Sequence, residues 1–461
     1  MKNKFRDLVI PILVLLVVIV GCIEILKSVF FPWLIFSGTV MPTEVVANTD
    51  KEYCAEIKNS GTANAGRFDV CLIDNGNIVL KKTINGLKKG KSVEVSFYYK
   101  FPTVGTHSID LVIDCKKKEH NIDTKRTNQV EVVPSPITTT IFKKKLGENW
   151  YGSQFSGSVP VVYDGKLYVG GKNQYFFCLN KDTGGEIWRY KVADAGLFPG
   201  IYPTPVFYKG NVYFGTTGSN LIESGGHVYA LNAKDGSLVW KYDTDSDVHS
   251  ISLDDDKIYA YTESTYVIDA MTGKLIKKYS GTVIANNGKL YTVDHTNGTL
   301  SRIDPTTGKV LWNFKLDQEI VSTPIFYNGK IYIDGKRCLD EEKGTILWEN
   351  DGIEGAYQTL DKDLLFVGGE ELHCVDANSG QIKWKKAIGP FISSPVAVNG
   401  RVYVAPYVGE YEKKIYCLDE STSNIIAIYE VGDVITTPPF VYEGKIYVVA
   451  EDGYLYCFKE E

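Results

Sequence analysis

The sequence predicts an all-β protein in which an immunoglobulin-like β-sandwich and an eight-bladed β-propeller follow one N-terminal transmembrane helix. Three observations predict this. An apolar run lies near the N-terminus, alternating apolar segments fill residues 37–133, and a segment typified by "YALNAKDGSLVWKY" at residues 229–242 recurs through the rest of the chain. Self-similarity at roughly 30–45 residues indicates a repeat architecture. We therefore expect an anchor at 1–36, a sandwich at 37–133 and a propeller at 134–461.

The anchor is predicted from hydropathy and charge. Lys2, Lys4 and Arg6 precede an apolar run from Leu8 to Ile23, which extends to the aromatic patch "FFPWLIF" ending at Phe36. A helix needs roughly 17–25 apolar residues to span a bilayer. The positive-inside rule then places the basic end in the cytoplasm. We expect a single-pass protein of the cell membrane with the bulk of the chain extracytoplasmic.

Two alternatives to an uncleaved anchor stay open. The segment could be a cleaved signal peptide, or the chain could be lipidated at Cys22, because "IVGC" resembles a lipoprotein cleavage box. A cleaved apolar core is normally followed at once by polar residues, whereas hydrophobicity resumes here before Phe36. All three interpretations place most of the chain outside the cytoplasm.

The sandwich is predicted from segments such as "RFDVCLIDNG", "SVEVSFYYKF" and "THSIDLVIDC", which alternate apolar and polar residues between Gly- and Lys-rich turns. The arrangement resembles the CARDB family of extracellular immunoglobulin-like modules. Cys54, Cys71 and Cys115 could supply one disulfide with one cysteine left over, and their spacing does not tell which pair forms.

The propeller is predicted from paired hairpins. Turns such as "YDGKLY" and "YNGKIY" occur about eight times, each followed by a hairpin of the kind "CVDANSGQIKW", and two hairpins make one four-stranded blade. The final blade, ending "DGYLYCFKEE", has no strand of the "TGxxxW" kind after it. We expect residues 138–147 to supply that strand and so close the ring without an open sheet edge.

The recurring tail "AxDxxTGxxxW", coupled to the "GKhY" turn, resembles the PQQ-like β-propeller family, found in quinoprotein alcohol dehydrogenases and in the lipoprotein propeller of the bacterial outer-membrane assembly machinery. The resemblance implies that the tail tryptophan of each blade docks against the next blade. Lys277 and Ala427 replace it in two blades, where we expect looser contacts that tolerate tryptophan. Trp150 lies near the closing strand. The docking positions carry Trp188, Trp240, Trp312, Trp348 and Trp384.

Other candidate sites are weaker. Asp243, Asp245, Asp247 and Asp254 have calcium-loop spacing, but Val248 replaces the glycine that the turn requires, so a solvated acidic loop is the favoured interpretation. Asn297 begins the sequon "NGT", an acceptor for glycosylation.

Five cysteines occupy one strand position in separate blades, too far apart to bridge, and are interpreted as small buried residues. They are Cys178, Cys338, Cys374, Cys417 and Cys457.

The sequence favours a binding function over catalysis. It has no adjacent cysteines and no "CxxCH", features that accompany quinone or haem in dehydrogenases of the resembling family. A net charge of −6 argues against nucleic-acid binding. We expect a non-catalytic, membrane-anchored scaffold without a cofactor, whose propeller binds other cell-surface or envelope proteins. The alternative is a quinone-dependent dehydrogenase with a site in the propeller channel.

Overall fold

The fold is described from a computed structural model that covers residues 34–114, 124–147, 158–171, 174–192, 200–201, 203–217, 225–388, 394–406, 413–435 and 437–461. The chain divides into two compact units between Ser135 and Pro136. All the regular elements in these ranges are β-strands. None of the described residues belongs to a helix long and apolar enough to cross a membrane. Most of the predicted anchor, including Cys22, lies outside the described residues.

The first unit is a sandwich of two sheets. Strands β1, β3 and β6 form a three-stranded sheet, and the second sheet has the order β2, β8, β7, β4, β5. The bounds are β1 (Leu34–Val40), β2 (Glu44–Val46), β3 (Asp50–Asn59), β4 (Phe68–Asp74), β5 (Asn77–Ile84), β6 (Ser92–Lys100), β7 (Gly105–Ile113) and β8 (Lys125–Val133).

The sandwich core follows from the alternation of apolar residues along these strands. On β3, Tyr53, Ala55 and Ile57 are buried, whereas Glu52 and Glu56 are exposed. Because successive side chains of a strand point to opposite faces, this spacing places all the apolar groups on one side of the sheet. The facing sheet contributes buried residues from β4, β7 and β8 to the same cluster.

The predicted end of the anchor is wrong. Leu34–Phe36, placed in the helix by the sequence, belong instead to β1, where Leu34 pairs with Asn59 and Phe36 with Ile57. The Phe36 side chain is only 4% exposed and packs in the sandwich core. The apolarity of these three residues therefore belongs to a folded domain, since their backbone groups pair with β3.

The cysteines of the sandwich are in different states. Cys71 is disulfide-bonded and buried, and Cys54 is free. Cys115, the third cysteine considered for the bridge, lies outside the described residues.

The second unit is a propeller of eight four-stranded antiparallel sheets in the described part of the chain. Blades 1 to 4 comprise β10 (Val161–Tyr163), β11 (Lys166–Gly170), β12 (Tyr175–Asn180), β13 (Glu186–Lys191); β14 (Val206–Tyr208), β15 (Asn211–Thr216), β16 (His227–Asn232), β17 (Leu238–Asp243); β18 (Ser250–Asp254), β19 (Lys257–Tyr261), β20 (Ser264–Asp269), β21 (Leu275–Ser280); and β22 (Thr282–Asn286), β23 (Lys289–Asp294), β24 (Thr299–Ile303), β25 (Val310–Lys315).

Blades 5 to 8 repeat the pattern, and the last blade takes its fourth strand, β9, from the start of the unit. They comprise β26 (Ile325–Tyr327), β27 (Lys330–Ile333), β28 (Arg337–Asp340), β29 (Ile346–Glu349); β30 (Tyr357–Asp361), β31 (Leu364–Gly368), β32 (Leu372–Asp376), β33 (Ile382–Lys386); β34 (Val396–Val398), β35 (Arg401–Val404), β36 (Lys414–Asp419), β37 (Ile425–Glu430); and β38 (Phe440–Tyr442), β39 (Lys445–Val449), β40 (Tyr454–Lys459), β9 (Phe142–Lys145).

In six of the eight blades the first turn has two consecutive residues with positive φ. In blade 1, Asp164 and Gly165 have φ values of 47° and 70°. Two consecutive residues with positive φ form the tight turn that matches the twist of a two-strand hairpin, and Asp-Gly and Asn-Gly adopt it readily. The recurring "GK" turns therefore set where each pair of strands reverses.

The ring closes where the sequence places the 138–147 segment. Strand β9 pairs antiparallel with β40, from Phe142 opposite Cys457 to Lys145 opposite Tyr454. Just before β9, the backbone N–H of Ile137 donates to the carbonyl of Ile428, on the outer strand of blade 7. The chain from Ile137 to Lys145 therefore contacts two blades and covers the outer edge of the last one.

Candidate functional site

The tail tryptophans lie at the contacts between blades, which we call seams and number by the two blades they join. In each of five seams the indole N–H donates to a backbone carbonyl in the last hairpin turn of the next blade. Trp240 and Trp348 are 9% and 8% exposed, and the other three are partly buried. The bonds are Trp188 to Ala233 (3.3 Å), Trp240 to Ala270 (2.9 Å), Trp312 to Glu341 (3.2 Å), Trp348 to Ala377 (2.9 Å) and Trp384 to Glu420 (2.9 Å).

The same turns supply a glycine surface for the indole ring. A methyl group on Gly273 would lie 2.7 Å from Cδ2 of Trp240, and Gly236, Gly344 and Gly380 are equally close to their tryptophans. Each of these glycines has a positive φ. Two features therefore favour glycine in the "TG" motif: the positive φ of the turn and the close approach of the indole ring. Ser423 takes the corresponding position opposite Trp384, with φ of 61°.

In four seams the ring of a buried tyrosine lies beside the docking tryptophan. The hydroxyl of Tyr168, on β11, donates to the carbonyl of Ala233 at 2.8 Å, the same oxygen that Trp188 reaches. Burial raises the pKa of this hydroxyl, and burial likewise raises the pKa of the adjacent Cys178 thiol to about 11. The five blade cysteines are all buried and free, so they lie in the strand as small apolar residues.

Phe142 is a docking residue that the sequence did not reveal. It pairs with Cys457 as Trp188 pairs with Cys178, and its ring lies on Gly184 of blade 1. The motif could not identify it, because β9 is separated from the rest of its blade by most of the chain. The signal available in the sequence was Cys457, because the cysteine at this position of other blades pairs with the docking tryptophan.

The two blades that lack a docking tryptophan differ in how their seams are packed. Lys277 is exposed, and a methyl group on Gly308, the glycine facing it, would meet no atom within 4 Å. Ala427, by contrast, is 2% exposed and packs in a cluster with Tyr429 and Phe458. Seam 3/4 is therefore open where the indole is missing, whereas seam 7/8 is filled.

The four aspartates considered as a calcium loop have separate partners. Asp243 pairs with His227 at 2.9 Å and with Lys241 at 3.2 Å. The carboxylate of Asp245 accepts hydrogen bonds from Tyr266 and Lys278, and Asp254 accepts from the backbone N–H of Gly288 at 2.9 Å. Asp247 has interactions of its own. In the described ranges no three His, Cys, Asp or Glu side chains form a group that could hold a metal ion.

Asn297 lies in an exposed turn between β23 and β24. Its backbone N–H and its side-chain amide both donate to the carboxylate of Asp294, at 3.0 and 2.8 Å. The sequon is therefore exposed, although its amide is engaged within the turn. Trp150, the remaining candidate near the closing strand, lies outside the described residues.

The sandwich contains a buried contact between a histidine and an aspartate that the sequence did not predict. Nδ1 of His107 lies 2.8 Å from Oδ1 of Asp74, and both side chains are more than nine-tenths buried. The hydroxyl of Tyr99 donates to Oδ2 of the same aspartate at 3.0 Å. Buried polar groups need hydrogen-bond partners, and these three side chains supply them to one another.

The outer strands carry an exposed apolar band that the sequence prediction also missed. In each outer strand of blades 1 to 5 the register shifts by one residue just before the docking position, which leaves one extra residue as a β-bulge. That residue is apolar in all five blades and 43–54% exposed. We call these residues the outer band: Ile187, Val239, Ile276, Leu311 and Leu347.

A polar groove of about 390 Å³ lies at seam 3/4, on the face opposite the "GK" turns. It is formed where β21 of blade 3 passes to β22 of blade 4 through the single residue Gly281, and by the hairpin between β23 and β24. Its lining includes Tyr261, Thr282, Thr292 and His295. Its volume lies within the range of ligand pockets, roughly 300–1,000 Å³.

Comparison with known proteins confirms both resemblances. The family model described as outer membrane protein assembly factor BamB matches residues 138–280, 277–337 and 337–408, and the CARDB model matches residues 31–131. BamB of Salmonella typhimurium is 22% identical over 406 residues, covering 77% of this chain and 97% of that protein. The crystal structure of BamB from Moraxella catarrhalis, 14% identical, covers 70% of this chain and all of its own, with a TM-score of 0.55.

Quinoprotein enzymes match a smaller part of the chain. The quinohemoprotein alcohol dehydrogenase ADH-IIG of Pseudomonas putida is 32% identical over 156 residues, which cover 32% of this chain and 17% of that enzyme. The similarity to this enzyme therefore covers only part of the propeller repeats of this chain.

Proposed function

This chain belongs to the family of the outer membrane protein assembly factor BamB, and from that premise we propose that it is an extracytoplasmic scaffold that binds envelope proteins without catalysing a reaction. The seams support a rigid ring, because tryptophan, glycine and tyrosine of the repeat are all engaged in contacts between blades. The repeated residues build the platform, and the surface between them is left for partners.

The observation that carries the proposal is the outer band. Isolated exposed apolar residues are normal on a soluble surface, but the same bulge position is apolar in five consecutive blades. In blades 2 to 5 the residue before it, such as Leu238 or Val310, is apolar and exposed as well. The band therefore suits a protein partner that presents an apolar surface along the circumference of the propeller.

Site-specific photocross-linking tests the proposal. A photoreactive residue at Leu311, on the outer band, is compared with one at Tyr357, an equally accessible residue of the first strand of blade 6. In native membranes we expect one discrete adduct with an envelope protein from Leu311 and none from Tyr357. The change Val239→Asp should abolish the adduct without lowering the melting temperature, since Val239 lies on the exposed bulge and is 43% exposed. Adducts that are equal at both positions, or absent from both, would overturn the proposal.

The N-terminal membrane anchor is the second part of the proposal. The cluster of Lys2, Lys4 and Arg6 before the apolar run supports a single span with the N-terminus in the cytoplasm. Protease added to intact cells should then digest both folded units. Protection of both units until the cells are lysed would reverse the orientation.

The quinone-dependent alternative is supported by the partial match to the alcohol dehydrogenase. It predicts absorption of a bound quinone in the near ultraviolet and visible. If the full chain, incubated with pyrroloquinoline quinone and Ca²⁺ and then desalted, retains that absorption and oxidises an alcohol, the scaffold proposal is wrong.

A further inference from the structure

The groove at seam 3/4 is lined by hydroxyl groups that make no hydrogen bond to other described residues. Within the described part of the chain, no hydrogen bond engages the hydroxyls of Tyr261, Ser280, Thr282, Thr292 and Thr296. Each hydroxyl can donate one hydrogen bond and accept two. Five such groups around one groove offer donors and acceptors together, which is the pattern that complements a ligand with hydroxyl groups of its own.

The charges of the groove argue against an anionic ligand. Its lining contains no lysine or arginine, so a phosphate or carboxylate has no cation to bind. Its single carboxylate, Asp294, already accepts two hydrogen bonds from Asn297, and these lower its pKa, so it stays charged and repels anions. Nδ1 of His295 lies 2.8 Å from the carbonyl of Ile320, to which it donates. The other ring nitrogen, Nε2, accepts a hydrogen bond in the neutral ring and donates one in the charged ring, and a hydroxyl group can pair with either.

The groove coincides with the seam that lacks a docking tryptophan. Lys277 replaces the indole in blade 3, and Gly308 opposite it is uncovered. The buried cluster of this seam is the smallest among the described seam clusters, with Tyr259, Val267, Val283, Leu290 and Ile303. This seam therefore has the smallest buried apolar cluster among the described seams, and Gly308, in the turn between β24 and β25, lies at the opposite end of the blade from the groove.

We propose that the groove at seam 3/4 binds a neutral saccharide. Tyr261 supplies a partly exposed ring whose face suits the apolar side of a sugar, and the hydroxyls of Thr282 and Thr292 pair with sugar hydroxyls. This binding site is separate from the outer band, so it stands independently of the proposed scaffold function.

Binding can be measured on the purified full-length chain by ligand-observed NMR and calorimetry. The probes are glucose, galactose, mannose and N-acetylglucosamine, each as the free sugar and as its methyl glycoside, which mimics the end of a glycan. The test variant is Thr282→Val/Thr292→Val, which keeps the side-chain shape and removes two hydroxyls. The matched control is Thr345→Val, an exposed threonine in the last turn of blade 5.

We expect at least one probe to bind saturably and the double valine variant to weaken binding about tenfold, since each lost hydrogen bond contributes about 0.5–1.5 kcal/mol. Thr345→Val should bind as the wild type does, and Thr282→Ser/Thr292→Ser should retain binding because it keeps both hydroxyls. Preference for the glycoside would identify a glycan end, and preference for the free sugar a soluble ligand. The proposal is overturned if no probe binds saturably, or if the double valine variant binds as tightly as the control.

Discussion

The ring of Phe142 lies on Gly184 at the junction of the last and first blades, so close that a methyl group on Gly184 would lie 2.5 Å from Cδ2 of the ring. Phe142 is on β9 and Gly184 is in the last turn of blade 1. This contact repeats, with phenylalanine, the arrangement that Trp188 and Gly236 make at the next seam. It places an aromatic ring at the point where the propeller closes.

Replacement of Phe142 by alanine should destabilise the propeller by about 2–4 kcal/mol, because a large ring is removed from a partly buried seam. Phe142→Trp should be tolerated, since tryptophan occupies the same position in five other blades. Thermal unfolding of the full chain measures both, with Thr139→Ala, an exposed residue before β9, as the control. Equal melting temperatures for Phe142→Ala and the control would contradict a closing role for this ring.

Trp240 should be among the most sensitive docking positions, because it is nearly buried and its indole N–H bonds the carbonyl of Ala270. We expect Trp240→Ala to cost roughly 3–5 kcal/mol. Gly273→Ala should also destabilise, because its methyl group would meet the indole in a backbone with positive φ. The neighbouring Val239→Ala, on the exposed bulge, should stay within about 0.5 kcal/mol. Chemical denaturation of the three variants measures these differences, and a Trp240→Ala protein as stable as Val239→Ala would refute docking.

Tryptophan should be accepted at position 277 and rejected at position 427. Lys277→Trp would place an indole over the uncovered Gly308, and we expect the melting temperature to stay level or rise. Ala427→Trp would overpack a filled cluster and cost about 1–3 kcal/mol. The repeat motif predicts that tryptophan is tolerated at both positions, whereas the observed packing predicts tolerance only at position 277. Comparison of the two melting curves distinguishes these expectations. A loss of stability in Lys277→Trp as large as that in Ala427→Trp would contradict the open seam.

The contact between His107 and Asp74 in the sandwich should contribute to stability. His107→Leu removes a hydrogen-bond partner of the buried carboxyl group of Asp74, which should cost about 1–3 kcal/mol. His249→Leu is the matched control, because His249 is exposed. Hydrogen exchange of the sandwich amides reports the loss locally, and unchanged protection in His107→Leu would show that the pair is dispensable.

Stability should fall in acid partly through a seam carboxylate. Lys289 and then Arg302, both of blade 4, lower the pKa of Glu342 in blade 5 from 4.5 to about 2. A carboxyl group whose folded pKa is depressed stabilises the fold above its unfolded value and loses that contribution as the pH falls through the folded value. Glu342→Gln should therefore flatten the decline of melting temperature between about pH 4.5 and 2. Because the carboxylate is exposed, high salt should shrink the difference. Parallel curves for the two proteins at low salt would argue against the coupling.

The sequence by itself determined the repeat. The spacing of "GK" and "TG" turns requires backbone with positive φ at regular intervals, as at Gly165 and Gly236, and apolar alternation sets strands between them. These are local properties of the chain, so they can be read without knowing which strand meets which. The docking tryptophans were predictable for the same reason, because one residue type recurs at one step from each turn.

Only the tertiary structure decided what depends on contacts between distant residues. It showed that Phe142 takes the docking position of the last blade, that Ala427 is enclosed whereas Lys277 is not, and that Leu34 begins a strand of the sandwich. The groove lining likewise joins residues of two blades, including Tyr261 and His295. An apolar or hydroxyl side chain has the same letter in the sequence whether it is buried or exposed. Its role is fixed by the neighbours that folding brings to it.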